Sequence, residues 1–468
     1  MEPMPGTELP PRSVTLVVVG RDGRVLGAAA PFDVATPWWQ EVEPVVQRIP
    51  GIAVLRILEG EPVPGHIMGG RVTYLVEPLQ GAPPSPTASL GPLREWDGTL
   101  TADPLRMPWA EPGGPASDLK WAATEIQMTG PPLQHRSWNL SAIWSLPTSE
   151  GRVWMKCVPP FFRHEPAVLG LLADQRVPRL IASDSHRMLL AELPGEDGYE
   201  ASLEARRELI DLLIELQIST VDRIGEFEAV GVPDRRWAAL LEAAEAVVMR
   251  RAPDDKVLRQ LLDGAEERIA AIEECGLPYV LVHGDAHSGN ARVGPGADPG
   301  IWFDWGDCRI GHPILDVAVL LRPRSEHADE LVAHWLDGWK RSLPGTDPHR
   351  AWQLVRPLAA LGNAVAYQGF LDGIEVTERP YHEGDVLPHL IEAAQLAQAP
   401  GHSRPRESPS ANQPPLAGED DETGDGAAQA GDPACWAGLV CPGCGSVVSE
   451  GHRHGCRSGN IGPLGAST

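Results

Sequence analysis

Between positions 281 and 307 the chain reads LVHGDAHSGNARVGPGADPGIWFDWGD, which gathers Asp285, Asn290, Asp304 and Asp307 with His283 and His287. Carboxylate and amide oxygens are the ligands that hard Mg²⁺ takes, and that ion leaves its other positions to water and phosphate oxygens. Asn290 follows Asp285 by five residues, so one turn brings their oxygens toward a common point. A carboxylate not spent on metal can accept a proton from an attacking hydroxyl. That division of labour suits phosphoryl transfer, whose catalysis is mostly positioning and charge neutralisation. Taken singly, each aspartate is an ordinary turn or capping residue. The two histidines are expected to orient the loop, because Mg²⁺ prefers oxygen to imidazole.

The elements that must hold these residues follow from local pattern. PYVLVH and GIWFD are apolar runs that end in polar loops, which predicts adjacent short strands with Asp285 and Asp304 at their ends. Upstream, NLSAIWSLP and GRVWMKCVP flank Thr148-Ser149-Glu150-Gly151, a hairpin signal, and set Lys156 in an apolar strand. FFRHEPAVLGLLA then places Glu165 near a helix start. In YEASLEARRELIDLLIELQIS, Leu209, Leu212, Leu213 and Leu216 recur at the spacing of a buried helix face. Further helical patterns lie in RRWAALLEAAEAVVMRR, VLRQLLDGAEERIAAIEE, ADELVAHWLDGWKRSL and LPHLIEAAQLAQ. A small β-rich lobe over about 121–195 is therefore expected to precede a large helical lobe over about 196–398.

HGDAHSGN followed by FDWGD and GHPILDVAVLL resembles the aminoglycoside phosphotransferase and choline kinase-like family, relatives of protein kinases. The resemblance covers about residues 125–398 and implies an α+β, protein kinase-like two-lobed fold. It implies that Asp285 is the catalytic base, that Asn290 binds Mg²⁺, and that Asp304 bridges Mg²⁺ to the nucleotide phosphates. Lys156 is the implied phosphate-binding lysine, with Glu165 as its helix partner, and the backbone near Glu192 and Leu193 is the implied adenine contact. Asp316 is expected to brace the catalytic loop. Where a glycine-rich phosphate loop would stand, QHRSWNLSAIW has none, and Ser137 and Ser141 are the candidates there. Asp307 is either a turn residue or a contact for the acceptor.

The implied activity is ATP-dependent transfer of the γ-phosphate to a hydroxyl of a small molecule. A nucleotide-binding pseudokinase or scaffold that recruits protein partners is the alternative, although no motif residue is missing. A formal charge of -25 argues against nucleic-acid or anionic-membrane partners and suits a cationic or Mg-complexed ligand. MEPMPGTELPPRS lacks the pattern of a secretory leader, and no apolar run approaches about 18 residues, so a cytoplasmic protein is expected.

Three regions flank the implied kinase unit at 121–398. Residues 1–120 read as a small α/β domain of unknown role, from SVTLVVVGRDGRVLGAAA with a turn at Arg21-Asp22-Gly23, through helical PWWQEVEPVVQRI, to strands IAVLRILEG and RVTYLVEPL. Residues 399–434 are acidic and rich in Pro and Gly, as in a disordered linker. Residues 435–468 contain Cys441, Cys444, His452 and Cys456, a spacing that can complete a structural Zn²⁺ site, with His454 as an alternative ligand.

Overall fold

The computed structural model describes residues 11–63, 69–79, 90–294, 300–320 and 327–399. The tail that carries Cys441, Cys444, His452 and Cys456, and nearly all of the linker before it, lie outside them. Among the described residues no group of three or more His, Cys, Asp or Glu side chains could hold a metal ion, and the zinc expectation falls on residues outside them. Among the same residues no helix is long and apolar enough to cross a membrane.

The N-terminal sheet is built from β1 (Arg12–Val19), β2 (Val25–Ala28), β3 (Phe32–Val34), β4 (Ile52–Glu61) and β5 (Gly70–Pro78), in the order β2-β1-β5-β4 with β3 paired to β1. Alternation sorts its side chains. Val14, Leu16 and Val18 enter the main core, while Val17 and Val19 meet Leu55 and Leu75 on the other face. Gly23 takes the left-handed conformation (φ 81°) that the β1–β2 turn requires. The helix expected over PWWQEVEPVVQRI is only Glu43–Arg48. Pro44 is tolerated in a first turn but not farther inside, and Glu41 pairs instead with Arg136 as an antiparallel bridge.

The small lobe is a five-stranded antiparallel sheet, β6 (Leu133–Ser137), β7 (Ala142–Thr148), β8 (Gly151–Cys157), β9 (Leu180–Ser183) and β10 (Arg187–Ala191), ordered β6-β7-β8-β10-β9. Thr148 and Gly151 close the expected β7–β8 hairpin. Then follow β11 (Glu196–Asp197), β12 (Val280–Val282), β13 (Ala291–Val293), β14 (Ile301–Trp302) and β15 (Arg309–Gly311), set among the helices of the large lobe. β12 and β14 are not neighbours, contrary to expectation. β12 pairs with β15 and β14 pairs with β13, because the chain after Asn290 folds straight back on the strand that follows it.

Leu203–Ser219 is capped by the Ser202 hydroxyl, which accepts from Ala205 N, and it buries Leu209, Leu212, Leu213 and Leu216. VLRQLLDGAEERIAAIEE breaks at Gly264 into Lys256–Asp263 and Ala265–Glu273. The longest helix, Pro348–Gly373, was not anticipated, since Pro357 sits in its interior and interrupts the pattern. Packing there supplies what local propensity lacks: Val355, Leu358, Leu361, Ala364 and Leu371 are buried. One apolar core cluster runs from Val14 in β1 through Trp138 to Tyr381, so the N-terminal sheet and both lobes share packing.

Candidate active site

Lys156 is the penultimate residue of the apolar strand β8 and is fully buried. Its Nζ lies 2.8 Å from both Glu165 carboxylate oxygens and 2.6 Å from Asp304 Oδ1. Glu165 is the first residue of the helix Glu165–Leu171, where Pro166 fits because a first-turn N–H has no helical partner. Burial, more than the neighbouring charges, pushes the Glu165 carboxyl up. Its Oε1 also accepts from Trp305 N at 3.2 Å, which ties the helix to the segment after Asp304. A buried cation with two carboxylates is costly to desolvate and strongly coupled once formed.

Asp304 has φ 64° and ψ 64°, and among the described residues it is the one non-glycine residue at positive φ. An L-residue held there costs of order 1–3 kcal/mol and persists where its surroundings over-determine it, commonly at functional sites. The backbone therefore turns the Asp304 carboxylate toward Lys156 against local preference.

The loop after β12 is fixed from below by Asp316, which is buried and accepts from His283 N (2.8 Å), Gly284 N (2.9 Å) and Gln217 Nε2 (2.8 Å). Burial raises the Asp316 carboxyl, opposed by the His283 ring and by the backbone donors of Gly284 and His283. His283 joins the two motif segments: its Nδ1 accepts from Asp285 N at 3.3 Å and its Nε2 donates to Phe303 O at 3.0 Å. Burial lowers its pKa, so the neutral ring suits both bonds. Gly284 has φ 87°, and a Cβ there would lie 2.2 Å from Asp307 O, so no other residue fits this crossing.

Asp285 keeps 26% of its side chain exposed. Asn290 Nδ2 donates to the backbone O and to Oδ2 of Asp285, both at 2.9 Å. Asn290 Oδ1 is buried and has no hydrogen-bond partner. An orphaned buried acceptor costs about 1–3 kcal/mol, which is explicable where a cation is to be received. His287 Nδ1 accepts from Gly289 N at 3.0 Å, so Nε2 carries the proton and faces Asp285 Oδ2 at 3.5 Å. Both histidines thus orient the loop, as expected. Burial, with the charges of Asp285 and Asp304 adding, pushes the Asp307 carboxyl up to about 8.

The structure brings together Lys156, Glu165 and Asp304 in one cluster and Asp285 and Asn290 in another, linked through His283 and Phe303. Glu192 and Leu193 follow β10 between the lobes, with Glu192 Oε2 accepting from Trp154 Nε1 at 3.0 Å. The Ser137 hydroxyl is not available as a phosphate donor. Ser137 Oγ donates to Leu55 O (3.1 Å), Ser141 Oγ accepts from Trp138 Nε1 (3.0 Å), and both are buried. Sequence reasoning missed Tyr199, which stacks on His287 at 5.5 Å between centroids and 22° between planes. A lone Tyr beyond a turn carries no periodic signal.

Residues 158–358 match the model of the phosphotransferase enzyme family. None of the curated proteins matches the chain. Among solved structures, a choline kinase from Streptococcus pneumoniae is similar at 13% identity and a TM-score of 0.45, over 61% of this chain and 99% of that one. Aminoglycoside 2'-phosphotransferase-IIIa in its GDP complex is similar at 14% identity and 0.45, over 60% and 97%. A macrolide 2'-phosphotransferase from Brachybacterium faecium is similar at 18% identity and 0.41, over 57% and 96%. The family model matches over the span that carries HGDAHSGN, FDWGD and GHPILD.

Proposed function

We propose that the chain is an ATP-dependent phosphotransferase that moves the γ-phosphate to a hydroxyl of a small molecule. The observation that carries this reading is the buried contact of Lys156 with Glu165 and Asp304, set beside the Asp285–Asn290 pair. Glu165 holds the Lys156 ammonium in place, so it is preset for the nucleotide phosphates. Asp285, partly open to solvent, accepts the proton from the acceptor hydroxyl as the oxygen attacks. Asn290 and His287 donate toward its carboxylate and fix its direction.

Mg²⁺ would be held by Asn290 Oδ1 and the Asp304 carboxylate, and would neutralise charge on the phosphates. The unpartnered Asn290 oxygen fits that ion. Glu192 and Leu193 offer backbone groups for the adenine. Asp307 offers a carboxyl beside Asp285 for an acceptor hydroxyl. The acidic balance of the chain suits an acceptor that is also cationic.

The test is turnover of Mg-ATP against a panel of hydroxylated small molecules, cationic and neutral, with Asp285→Asn in parallel. Transfer by the parent and not by Asp285→Asn is the expected result. A parent that is stabilised thermally by Mg-ATP yet phosphorylates nothing, and that Asp285→Asn does not change, would favour the nucleotide-binding scaffold instead.

A further inference from the structure

The turn between β6 and β7, Trp138 to Ser141, stands where kinases place a mobile glycine-rich cover over the phosphates. Its register puts it there in this chain too: Ile143 pairs with Lys156 and Ala142 with Cys157, so the turn overhangs the sheet end that carries Lys156. Yet it has no glycine, and Trp138, Asn139 and Ser141 are each 2% exposed or less. Two separate parts of the molecule cover it.

From the N-terminal side, β6 is gripped along its outer edge. Gln134 makes paired bonds with the Val54 backbone at 2.8 and 2.9 Å, and Ser137 N donates to Gln40 O at 3.2 Å. Trp109 Nε1 donates to Trp138 O at 3.1 Å. From the large lobe, Asn139 Nδ2 donates to His382 Nε2 at 3.0 Å, and the Trp138 ring meets Tyr381 edge-on at 5.5 Å. The two covers are themselves joined. Ile57 N donates to Glu378 Oε1 at 3.1 Å, and Arg106 forms a bidentate pair with Glu375.

We infer that the N-terminal sheet is a brace: together with residues 375–382 it pins the Trp138–Ser141 turn to the large lobe and so presets the phosphate cover that glycines would otherwise supply by moving. This seam then joins the lobes at a place separate from the connection after β10 and from the contacts of Lys156 with Asp304 and of Glu165 with Trp305. A preset cover forgoes the ordering entropy that a flexible loop spends on closing over phosphates. Its effect falls on the phosphates of a nucleotide and not on its base.

This inference rests on the proposed nucleotide site, and one experiment separates the two. Binding of Mg-AMP-PNP and of adenosine is measured by calorimetry on the full chain, its Asn139→Ala and His382→Ala variants, and His382→Gln, which keeps an acceptor near the position of Nε2. The expected result is a five- to twentyfold weaker Mg-AMP-PNP affinity in the two alanine variants, unchanged adenosine affinity, and recovery in His382→Gln. Equal loss for both ligands, or no loss for either, overturns the brace while leaving the kinase reading intact. A parent chain that binds neither ligand overturns both. Hydrogen exchange on the parent needs no variant to fold: Ser137 and Trp138 amides should exchange as slowly as those of β7, and exchange at open-loop rates would overturn the brace.

Discussion

The two halves of the candidate site are built on opposite plans. Around Lys156 everything is buried and satisfied, with three carboxylate oxygens within 2.8 Å of one ammonium. Around Asp285 the carboxylate is about a quarter exposed, and the Asn290 oxygen beside it has no partner. A group that only holds charge is best fixed and dry, since a low local dielectric strengthens the hold. Groups that must meet a substrate proton or a cation need vacant lone pairs and a path to solvent. The first half should therefore fail through the fold as well as through its hold on the phosphates, and the second through chemistry alone.

Asp285→Asn attacks that contrast most directly. Its expected cost is about 10²- to 10⁴-fold in the rate of transfer, the range of a lost general base, with the thermal melting point nearly unchanged. A large loss of stability instead would make Asp285 a structural residue and erase the distinction.

Lys156→Met should cost stability in addition to phosphate binding. It strands Glu165 and Asp304 as buried carboxylates without their cation, and breaking a buried pair from one side costs about 3–5 kcal/mol. Denaturant unfolding reads this, and a midpoint equal to that of the parent chain would refute it. Asn290→Leu should leave unfolding within about 1 kcal/mol, because the orphaned acceptor disappears along with the donor. The Mg²⁺ concentration for half-maximal turnover should rise on the order of tenfold or more.

The smallest effect concerns pH and a third region, the seam over β4. Burial, then the charge of Glu375, pushes the Glu378 carboxyl up to about 8, and burial lifts Glu41 to about 7. Between an unfolded value near 4.5 and these folded values the native state binds more protons, so stability falls as pH rises. The contribution is fully present below about 4.5 and lost as pH passes through 7 to 8. Glu378→Gln should flatten part of that decline in melts taken from pH 5 to 9. A profile identical to that of the parent chain would remove Glu378 from the account.

Local patterns exposed much of this. Short apolar runs between turn signals marked β1, β4, β5, β7 and β8, and leucine spacing marked Leu203–Ser219. Pro357 hid the longest helix, because a local rule against interior proline is overridden only by burial on several sides. The expected adjacency of the strands before Asp285 and Asp304 failed, since pairing is a non-local choice. Ser137 failed as a phosphate donor for the same reason, as its hydroxyl donates to Leu55 O.

What the amino-acid order alone determined is the chemistry on offer: which side chains carry protons, oxygens and positive charge, and on which kinds of element they ride. Residue type and short spacing settle that, being properties of a few neighbouring bonds. Only the tertiary structure decided that Lys156 meets Asp304 across 148 positions, that Asp304 is held at positive φ, and that Ile57 meets Glu378 across 321. Such contacts depend on how whole layers pack, because their energy comes from burial shared among distant segments rather than from any one stretch of chain.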